Sequence, residues 1–354
     1  MRAFTFKRNR VARVYKGGLL LDKLQGIPAP SDSYQPEEWL ASTVLACNDA
    51  SSDPLEGISV ALFEGKEIPF TELAKLKAEA LFGKEHFAKH GASPGFLTKL
   101  LDSAIRLPLQ AHPDCEKAAS LYNSKYGKTE AWIILDGRND EVEKPYLLLG
   151  FNENLNEELF RREALSGKMS RSLEMFHKYC PALGEVFLIN GGLPHAIGPG
   201  NFIMEIMEPS DWVVQPERFC WDRELSIAER YGDVEPNKAL DVFHFTREPD
   251  SINKARLNPL TLDVGKGYSV ISLIDRNAVK FFGAMKLKLS GQWSWNSHGT
   301  PFAVGVITKG CCEVISEKHS LRLRGGDSIF IPFSCGNTIF RGNAEIIFAL
   351  PPCL

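Results

Sequence analysis

The sequence lacks long hydrophobic runs. Its longest apolar stretches, such as residues 146–151, are far shorter than the roughly 18 residues that a membrane-spanning helix requires. It also lacks any Cys-x-x-Cys pair, although it contains 8 cysteines at irregular spacing. This cysteine usage predicts a reduced, cytoplasmic chain, and it argues against a disulfide framework or a cysteine zinc knuckle.

Charge of one sign is not concentrated in any part of the chain. The formal net charge is −3, and the 41 lysines and arginines are scattered. We therefore expect neither a nucleic-acid partner nor binding to an anionic membrane. Hydrophobic residues make up 44% of the chain and charged residues 24%, a globular composition that excludes wholesale disorder, collagen and coiled coil.

The apolar segments are short and are separated by turn residues. The 29 glycines and 21 prolines fall mostly between them, which favours many strands over long helices. Apolar residues alternate at residues 285–289, 302–306 and 321–323, and each alternation predicts one half-buried strand. Strands at this spacing predict a sandwich or a jelly-roll barrel in the last part of the chain.

The first 250 residues have a mixed pattern. Helices are predicted over residues 71–81, 155–165 and 170–180, where apolar side chains recur on one face. In the first helix that face comprises Leu73, Leu76 and Ala80. The predicted strands are residues 107–112, 131–135, 146–151, 186–190 and 202–207.

The length of 354 residues predicts two domains. Residues 246–258 are polar and flanked by proline, so they are the best candidate for a linker. We therefore place one domain in residues 1–250 and the other in residues 251–354.

Candidate metal ligands lie in three separate segments. If residues 107–112 form a strand, Gln110 and His112 lie two apart and face the same way. Glu130 begins the next apolar run, and His195 lies in a Gly/Pro-rich turn. Taken singly, either histidine is more simply a core or surface residue. Together, two imidazoles, a carboxylate and an amide oxygen form a sound donor set for a divalent metal such as zinc.

The spacing around His195 resembles the second cupin motif. Gly184 is followed by five residues, then Asn190-x-Gly192, then two residues and His195. Only the proline of that motif is replaced, by Asn190.

Cupin-like features occur in both the N-terminal and the C-terminal part of the chain, but only the N-terminal part carries candidate metal ligands. Gln110-x-His112, followed by Glu130, is similar to the first cupin motif. The C-terminal region repeats half of the second motif, as Gly326 and Pro332, without a following histidine. The resemblance implies a mostly β bicupin with added helices, in which two jelly-roll β-barrels are joined. It implies a metal site in the N-terminal barrel and none in the C-terminal one.

The chain resembles, over nearly its whole length, the type I mannose-6-phosphate isomerase family, also called phosphomannose isomerases. The segments that carry this resemblance are residues 36–42, 99–114, 127–132, 195–200, Glu205, Ser210-Asp211 and residues 324–332. The block Gln110-Ala111-His112-Pro113-Asp114 is the most specific of them.

The resemblance implies one zinc ion per chain, held by Gln110, His112, Glu130 and His195. It implies an isomerase of carbohydrate metabolism whose partner is a small sugar phosphate. Such an enzyme interconverts mannose 6-phosphate and fructose 6-phosphate through a cis-enediol(ate), with the metal as Lewis acid and a base of near-neutral pKa. Lys128 is a candidate substrate or phosphate contact, and equally a candidate for a solvated turn lysine.

The sequence departs from the family pattern at Gln215. The family carries an arginine taken as catalytic at this position, and Arg218 is the nearest substitute. This departure leaves a second function open. The chain would then be a metal-binding cupin that binds a sugar phosphate but is impaired in catalysis, and it would serve as a sensor or binding protein. A cupin of different chemistry, such as an iron dioxygenase, is a third alternative, against which the Gln-x-His-Pro-Asp block argues. The sequence leaves the oligomeric state open.

Overall fold

Strands dominate the computed structural model, which describes residues 1–47, 53–138, 143–295, 302–316 and 319–353. The strands of the first half are β1 (Phe4–Phe6), β2 (Arg10–Val11), β3 (Glu37–Leu40), β4 (Val60–Phe63), β5 (Lys66–Pro69), β6 (Leu97–Asp102), β7 (Glu130–Gly137), β8 (Leu147–Phe151), β9 (Phe176–Tyr179), β10 (Val186–Ile189), β11 (His195–Ile197) and β12 (Asn201–Met207). Those that follow are β13 (Phe219–Cys220), β14 (Arg223–Glu224), β15 (Arg256–Leu257), β16 (Leu260–Gly265), β17 (Tyr268–Ile274), β18 (Gly283–Leu289), β19 (Gln292–Ser294), β20 (Ala303–Ser316), β21 (His319–Arg324), β22 (Ser328–Ile331) and β23 (Thr338–Leu350).

The helices are short and lie mainly between the strands of the first 255 residues. They are α1 (Leu19–Gln25), α2 (Phe70–Phe82), α3 (Lys84–His90), α4 (Cys115–Tyr122), α5 (Glu157–Ser166), α6 (Ile227–Tyr231), α7 (Pro236–Ala239) and α8 (Ser251–Ala255), with 3₁₀ turns at Ser172–Met175 and Leu240–Val242. The prediction of a mostly β chain with added helices is confirmed. No helix in the described part of the chain is long and apolar enough to cross a membrane.

The largest sheet takes strands from both ends of the chain. Its 11 strands follow the path β16-β17-β18-β23-β20-β22-β1-β4-β5, with β19 on β23 and β21 on β20. Strand β1 is antiparallel to both of its neighbours, so that Phe4 lies opposite Phe330. The predicted C-terminal domain therefore shares its sheet with strands from the first 70 residues, and the boundary at residue 250 stays a prediction.

A second sheet, of 7 strands, carries a group of buried charged residues that includes Glu37, Lys99, Glu130 and Glu205. Its order is β15-β10-β7-β12-β6-β3-β2. Strand β12 is buried along its whole length, because its two faces pack against different parts of the core. A small sheet, β11-β8-β9, lies beside it, and its strand β11 begins at His195.

Two strands of the largest sheet, β18 and β20, differ in how they are covered. In β18, Met285, Leu287 and Leu289 are buried while Lys288 is exposed, as a half-buried strand requires. The prediction of a second half-buried strand over residues 302–306 is wrong. Strand β20 is buried there on both faces, with Val304 in one hydrophobic cluster and its neighbour Ala303 in another.

Two helix predictions and the linker prediction need correction. Helix α2 forms as expected, but Leu76 is exposed because a non-helical backbone at Lys77 interrupts the apolar face. Residues 170–180 form a 3₁₀ turn and β9 instead of a helix, since pairing with β8 holds them extended. The predicted linker contains α8 and β15, and β15 pairs with β10.

Candidate metal centre and active site

Three of the four predicted metal ligands converge in the structure. Glu130 begins β7, His195 begins β11, and His112 lies just before α4. One donor atom from each of the three lies within 4.8 Å of the others, and all three residues are buried. No other cluster of three potential His, Cys, Asp or Glu ligands occurs in the described ranges.

Both imidazoles are oriented by backbone carbonyls. Nδ1 of His112 lies 2.9 Å from the carbonyl oxygen of Trp212, and Nδ1 of His195 lies 2.8 Å from that of Leu193. A carbonyl can only accept, so each Nδ1 carries the proton and each Nε2 keeps its lone pair. Burial lowers the pKa of both residues, that of His195 to about 3, and both are therefore neutral near pH 7.

Glu130 supplies the negative charge of this cluster. Burial alone would raise its pKa, but the adjacent Lys128 and His112 hold the pKa well below its usual range, so the carboxylate is ionised. Trp132 donates an indole hydrogen bond of 2.9 Å to Oε1. Oε2 of Glu130 and Nε2 of His195 are buried without an aligned hydrogen-bond donor. These two acceptors, together with Nε2 of His112 beside them, form a donor set that fits a divalent cation.

Gln110 is brought beside His195 by the backbone. The predicted strand over residues 107–112 does not form as a continuous element. Instead, Gln110 forms an isolated bridge with His195, and Ala111 forms one with Val214, because the two partners belong to different segments. Gln110 lines the same cavity as Glu130. Its role as a fourth ligand stays a prediction.

Lys128 is part of the cluster and not a solvated lysine. Its side chain is buried, and Nζ lies 2.8 Å from Nε2 of His112 and 3.0 Å from Oε2 of Glu130. The ammonium therefore contacts two of the atoms that a metal ion would use.

A cavity of about 710 Å³ opens next to these residues. Gln110, Lys128 and Glu130 line it. It is large enough to hold a hexose phosphate, and its walls carry several further charged side chains. These are Arg10, Arg13, Glu37, Asp53, Glu56, Lys99, Glu205, Asp211, Arg223, Glu229 and Asp233.

A cross-strand row of buried charges borders the cavity, and sequence reasoning assigned it no role. Lys99 on β6 lies opposite Glu205 on β12, and its Nζ is 3.0 Å from Oε1 of Glu205 and 3.5 Å from Glu37 on β3. Burial and the charge of Glu130 raise the pKa of Glu205 to about 7. The available signal was a charged residue in the interior of a largely apolar strand, Lys99 in β6 and Glu205 in β12.

Gln215 lies at the cavity, and Arg218 does not. Gln215 is buried, and its side-chain amide donates a 2.8 Å hydrogen bond to the carbonyl of Glu229. Arg218 is exposed and pairs with Glu224, since its backbone is tied to Gly167 and Leu225 away from the cavity wall. The structure therefore does not place Arg218 where it could replace an arginine at position 215.

Comparison with known proteins agrees with this fold. The family model of the mannose-6-phosphate isomerase cupin domain matches residues 276–351. The mannose-6-phosphate isomerase of Streptococcus mutans is 27% identical over 346 residues, which cover 97% of this chain and 96% of that protein.

The chain is thus similar to the mannose-6-phosphate isomerases over nearly its whole length, and residues 276–351 match their cupin domain. The predicted resemblance and enzyme class are confirmed. Among solved structures, mannose 6-phosphate isomerase from Bacillus subtilis has the same fold, with a TM-score of 0.75, 20% identity and 99% of each chain covered. A mannose 6-phosphate isomerase bound with zinc and yttrium matches with a TM-score of 0.70, 16% identity and all of both chains covered.

Proposed function

We propose that the chain is a zinc-dependent aldose–ketose isomerase that interconverts mannose 6-phosphate and fructose 6-phosphate. The observation that carries the proposal is the convergence of His112, Glu130 and His195 beside a sugar-sized cavity. The matched relatives bear the name of this activity, and one solved neighbour holds zinc. We further propose that the two large sheets form two jelly-roll barrels and that the metal binds in the N-terminal one.

One zinc ion would be held by His112, Glu130, His195 and Gln110. The donors suit zinc, because two neutral imidazoles and one carboxylate leave room for a neutral oxygen and for substrate. When bound, the ion would supply Lewis acidity to a reaction that develops negative charge on sugar oxygens. Lys128, whose ammonium contacts the same ligands, adds positive charge at the cavity wall.

Glu205 is the best placed general base. Isomerisation requires that a proton leave C2 of the aldose and return to C1, so one group must accept the proton and give it back. Glu205 is buried, lines the cavity and has a pKa of about 7. Lys99 fixes its carboxylate from the opposite strand.

The phosphate of the substrate needs a cation at the cavity. Arg223 lines the cavity, is partly exposed and pairs with Glu229. Arg10 also lines the cavity and pairs with Asp22. We propose that Arg223, the more exposed of the two, binds the phosphate group.

A second function is favoured by the uncharged Gln215 at the cavity wall. Without a guanidinium there, the protein would bind metal and sugar phosphate but turn over slowly, as a sensor or binding protein. The two functions differ in rate and not in ligand binding.

A coupled assay with a metal analysis tests the proposal. Zinc content is measured first, and fructose 6-phosphate formation from mannose 6-phosphate is then followed before chelation, after chelation and after zinc is restored. We expect activity that is lost with the metal and regained with it. Protein that carries one zinc per chain and binds mannose 6-phosphate without turnover would support the binding function and contradict the isomerase.

A further inference from the structure

We propose that Arg13 is a positioning residue of the metal centre, which fixes the tautomer of His112 through Asp211 and Trp212. The inference rests on the proposed metal site. Arg13 lies far from every predicted ligand in the sequence, and its contact with Asp211 joins residues that are 198 positions apart.

Arg13 is clamped to Asp211 by two parallel hydrogen bonds. Nη1 and Nη2 lie 3.0 Å from Oδ2 and Oδ1 of Asp211, and Nε lies 3.0 Å from Oε2 of Glu37. The guanidinium also lies over the ring of Trp39, at 5.1 Å from its centroid. A planar fork held at three nitrogens and packed on an aromatic ring has one orientation, so Asp211 is fixed with it.

The next residue along the chain orients a metal ligand. The carbonyl oxygen of Trp212 accepts the Nδ1 proton of His112 at 2.9 Å, and the ring of Trp212 stacks on Tyr122. Two residues further on, Val214 exchanges backbone hydrogen bonds with Ala111, the neighbour of His112. Residues 211–214 thus contact the segment that carries His112 at both its side chain and its backbone.

The anchor of this segment depends on the charge of Arg13. The side chain of Asp211 is only 8% exposed, and although burial raises its pKa, Arg13 brings the pKa below the usual range. Removing the guanidinium would leave an ionised carboxylate without its bidentate partner, and a buried unpaired charge moves toward water or draws it in. The Trp212 carbonyl would move with Asp211.

The chemical consequence falls on Nε2 of His112. While the carbonyl of Trp212 holds the proton on Nδ1, Nε2 keeps the lone pair that faces the Lys128 ammonium and that a metal would take. When that hydrogen bond is loosened, the proton can reside on Nε2, and this tautomer cannot bind a metal through Nε2. Groups that orient a ligand in this way typically change metal affinity by about 10- to 100-fold.

The test measures zinc affinity and the tautomer directly, without an activity assay. Zinc-free protein is titrated against a chromophoric chelator, and the nitrogen chemical shifts of His112 are recorded in the metal-free state. We expect Arg13→Gln and Asp211→Asn each to weaken zinc binding by about 10- to 100-fold and to increase the Nε2-protonated tautomer of His112. Because both act on one clamp, the double variant should bind zinc no more weakly than the worse single variant.

Arg138→Gln is the matched control. Arg138 also makes a bidentate pair, with Asp32 at 2.7 and 2.6 Å, but it does not line the cavity. Its loss should leave zinc affinity and the His112 tautomer unchanged. Wild-type affinity and an unchanged tautomer in Arg13→Gln would overturn the inference, as would an equal loss in Arg138→Gln. Failure of the parent protein to bind zinc would instead overturn the proposed metal site.

Discussion

Gln110 and His195 face each other across a backbone bridge in which each amide donates to the carbonyl of the other, at 2.9 and 2.8 Å. Directly opposed residues in an antiparallel pair present their side chains on the same side, a few ångströms apart. The bridge therefore sets the amide of Gln110 next to a histidine whose Nε2 is free. It places a residue outside any continuous strand where it could serve as the proposed fourth ligand.

Loss of a histidine ligand is expected to abolish stoichiometric zinc binding. His112→Ala and His195→Ala each leave too few donors to hold the ion against water. Gln110→Ala should weaken binding less, since a neutral amide oxygen is the poorest of the four donors. Zinc per chain, measured on purified protein at equal concentration, tests all three. Full zinc content in both histidine variants would show that the metal lies elsewhere.

Replacing Glu205 should stop proton transfer without removing the metal. Glu205→Gln is expected to lower kcat by about 10²- to 10⁴-fold, the usual contribution of a general base. In the parent, kcat should rise with pH as Glu205 loses its proton. The midpoint should lie at or below the pKa of about 7, because a bound dication favours the charged form.

The pH profile of kcat and deuterium uptake from solvent into the sugar measure this effect. Glu185→Gln removes a carboxylate that pairs with Arg256 and does not line the cavity, and it is the control. Unchanged deuterium uptake in Glu205→Gln would assign the base to another group.

A positive charge at position 215 should accelerate the reaction. Gln215→Arg is expected to raise kcat/KM for mannose 6-phosphate by up to about a hundredfold, because a guanidinium stabilises charge that develops in the transition state. Arg218→Ala should leave the rate unchanged, since Arg218 pairs with Glu224 outside the cavity. Gln215→Glu, with the opposite charge, should slow the reaction.

Zinc content is measured on each variant to separate rate from metal loss. If Arg218→Ala lost activity with full zinc, the side chain would have to reach the substrate from its exposed position. A fast parent enzyme that is slowed by Gln215→Arg would show that the neutral amide suits this cavity.

Acid should destabilise the protein through His86. This side chain is buried, its ring stacks on that of His90, and burial lowers its pKa to about 4 from the ordinary histidine value of 6.5. Between pH 4 and pH 6.5 the histidine binds a proton more readily in the unfolded chain than in the folded one. Its contribution to the free energy of unfolding is therefore complete above pH 6.5 and is lost as the pH falls toward 4. The total loss is on the order of 3 kcal/mol.

Urea unfolding of zinc-free protein between pH 4 and 7.5 measures this dependence. His86→Gln, which can still donate to the carbonyl of Ser93, should flatten the slope. His319→Gln, on a partly exposed strand, should not. Equal slopes in the parent and His86→Gln would mean that other groups govern acid unfolding.

Local pattern was enough to locate most elements near the site. Asp114 caps α4 by accepting from the amide of Lys117, and Glu130 begins a strand. Both features are set by neighbours in sequence. The error at residues 170–180 has a different origin, because pairing with β8 outweighs a helical apolar spacing.

The chemistry of the site was harder to predict than its ligands. Nothing near Arg13 in the sequence indicates that it meets Asp211, and nothing near Lys128 indicates that it is buried against His112. Such contacts depend on how distant strands register with one another. Charged residues in the interior of largely apolar strands, such as Lys99 and Glu205, were the one sequence signal of a buried network.

The position of β1 between β22 and β4 has a consequence for biosynthesis. Strand β1 leaves the ribosome long before its partner strand β22 is translated, and β23, in the middle of the same sheet, is translated later still. Until then the edge of β1 that pairs with β22 has no partner, which exposes the nascent chain to aggregation and slows its folding. The largest sheet can close only after β22 and β23 have been translated, so that its strands from residues 4–69 and from residues 260–350 reach the native state together.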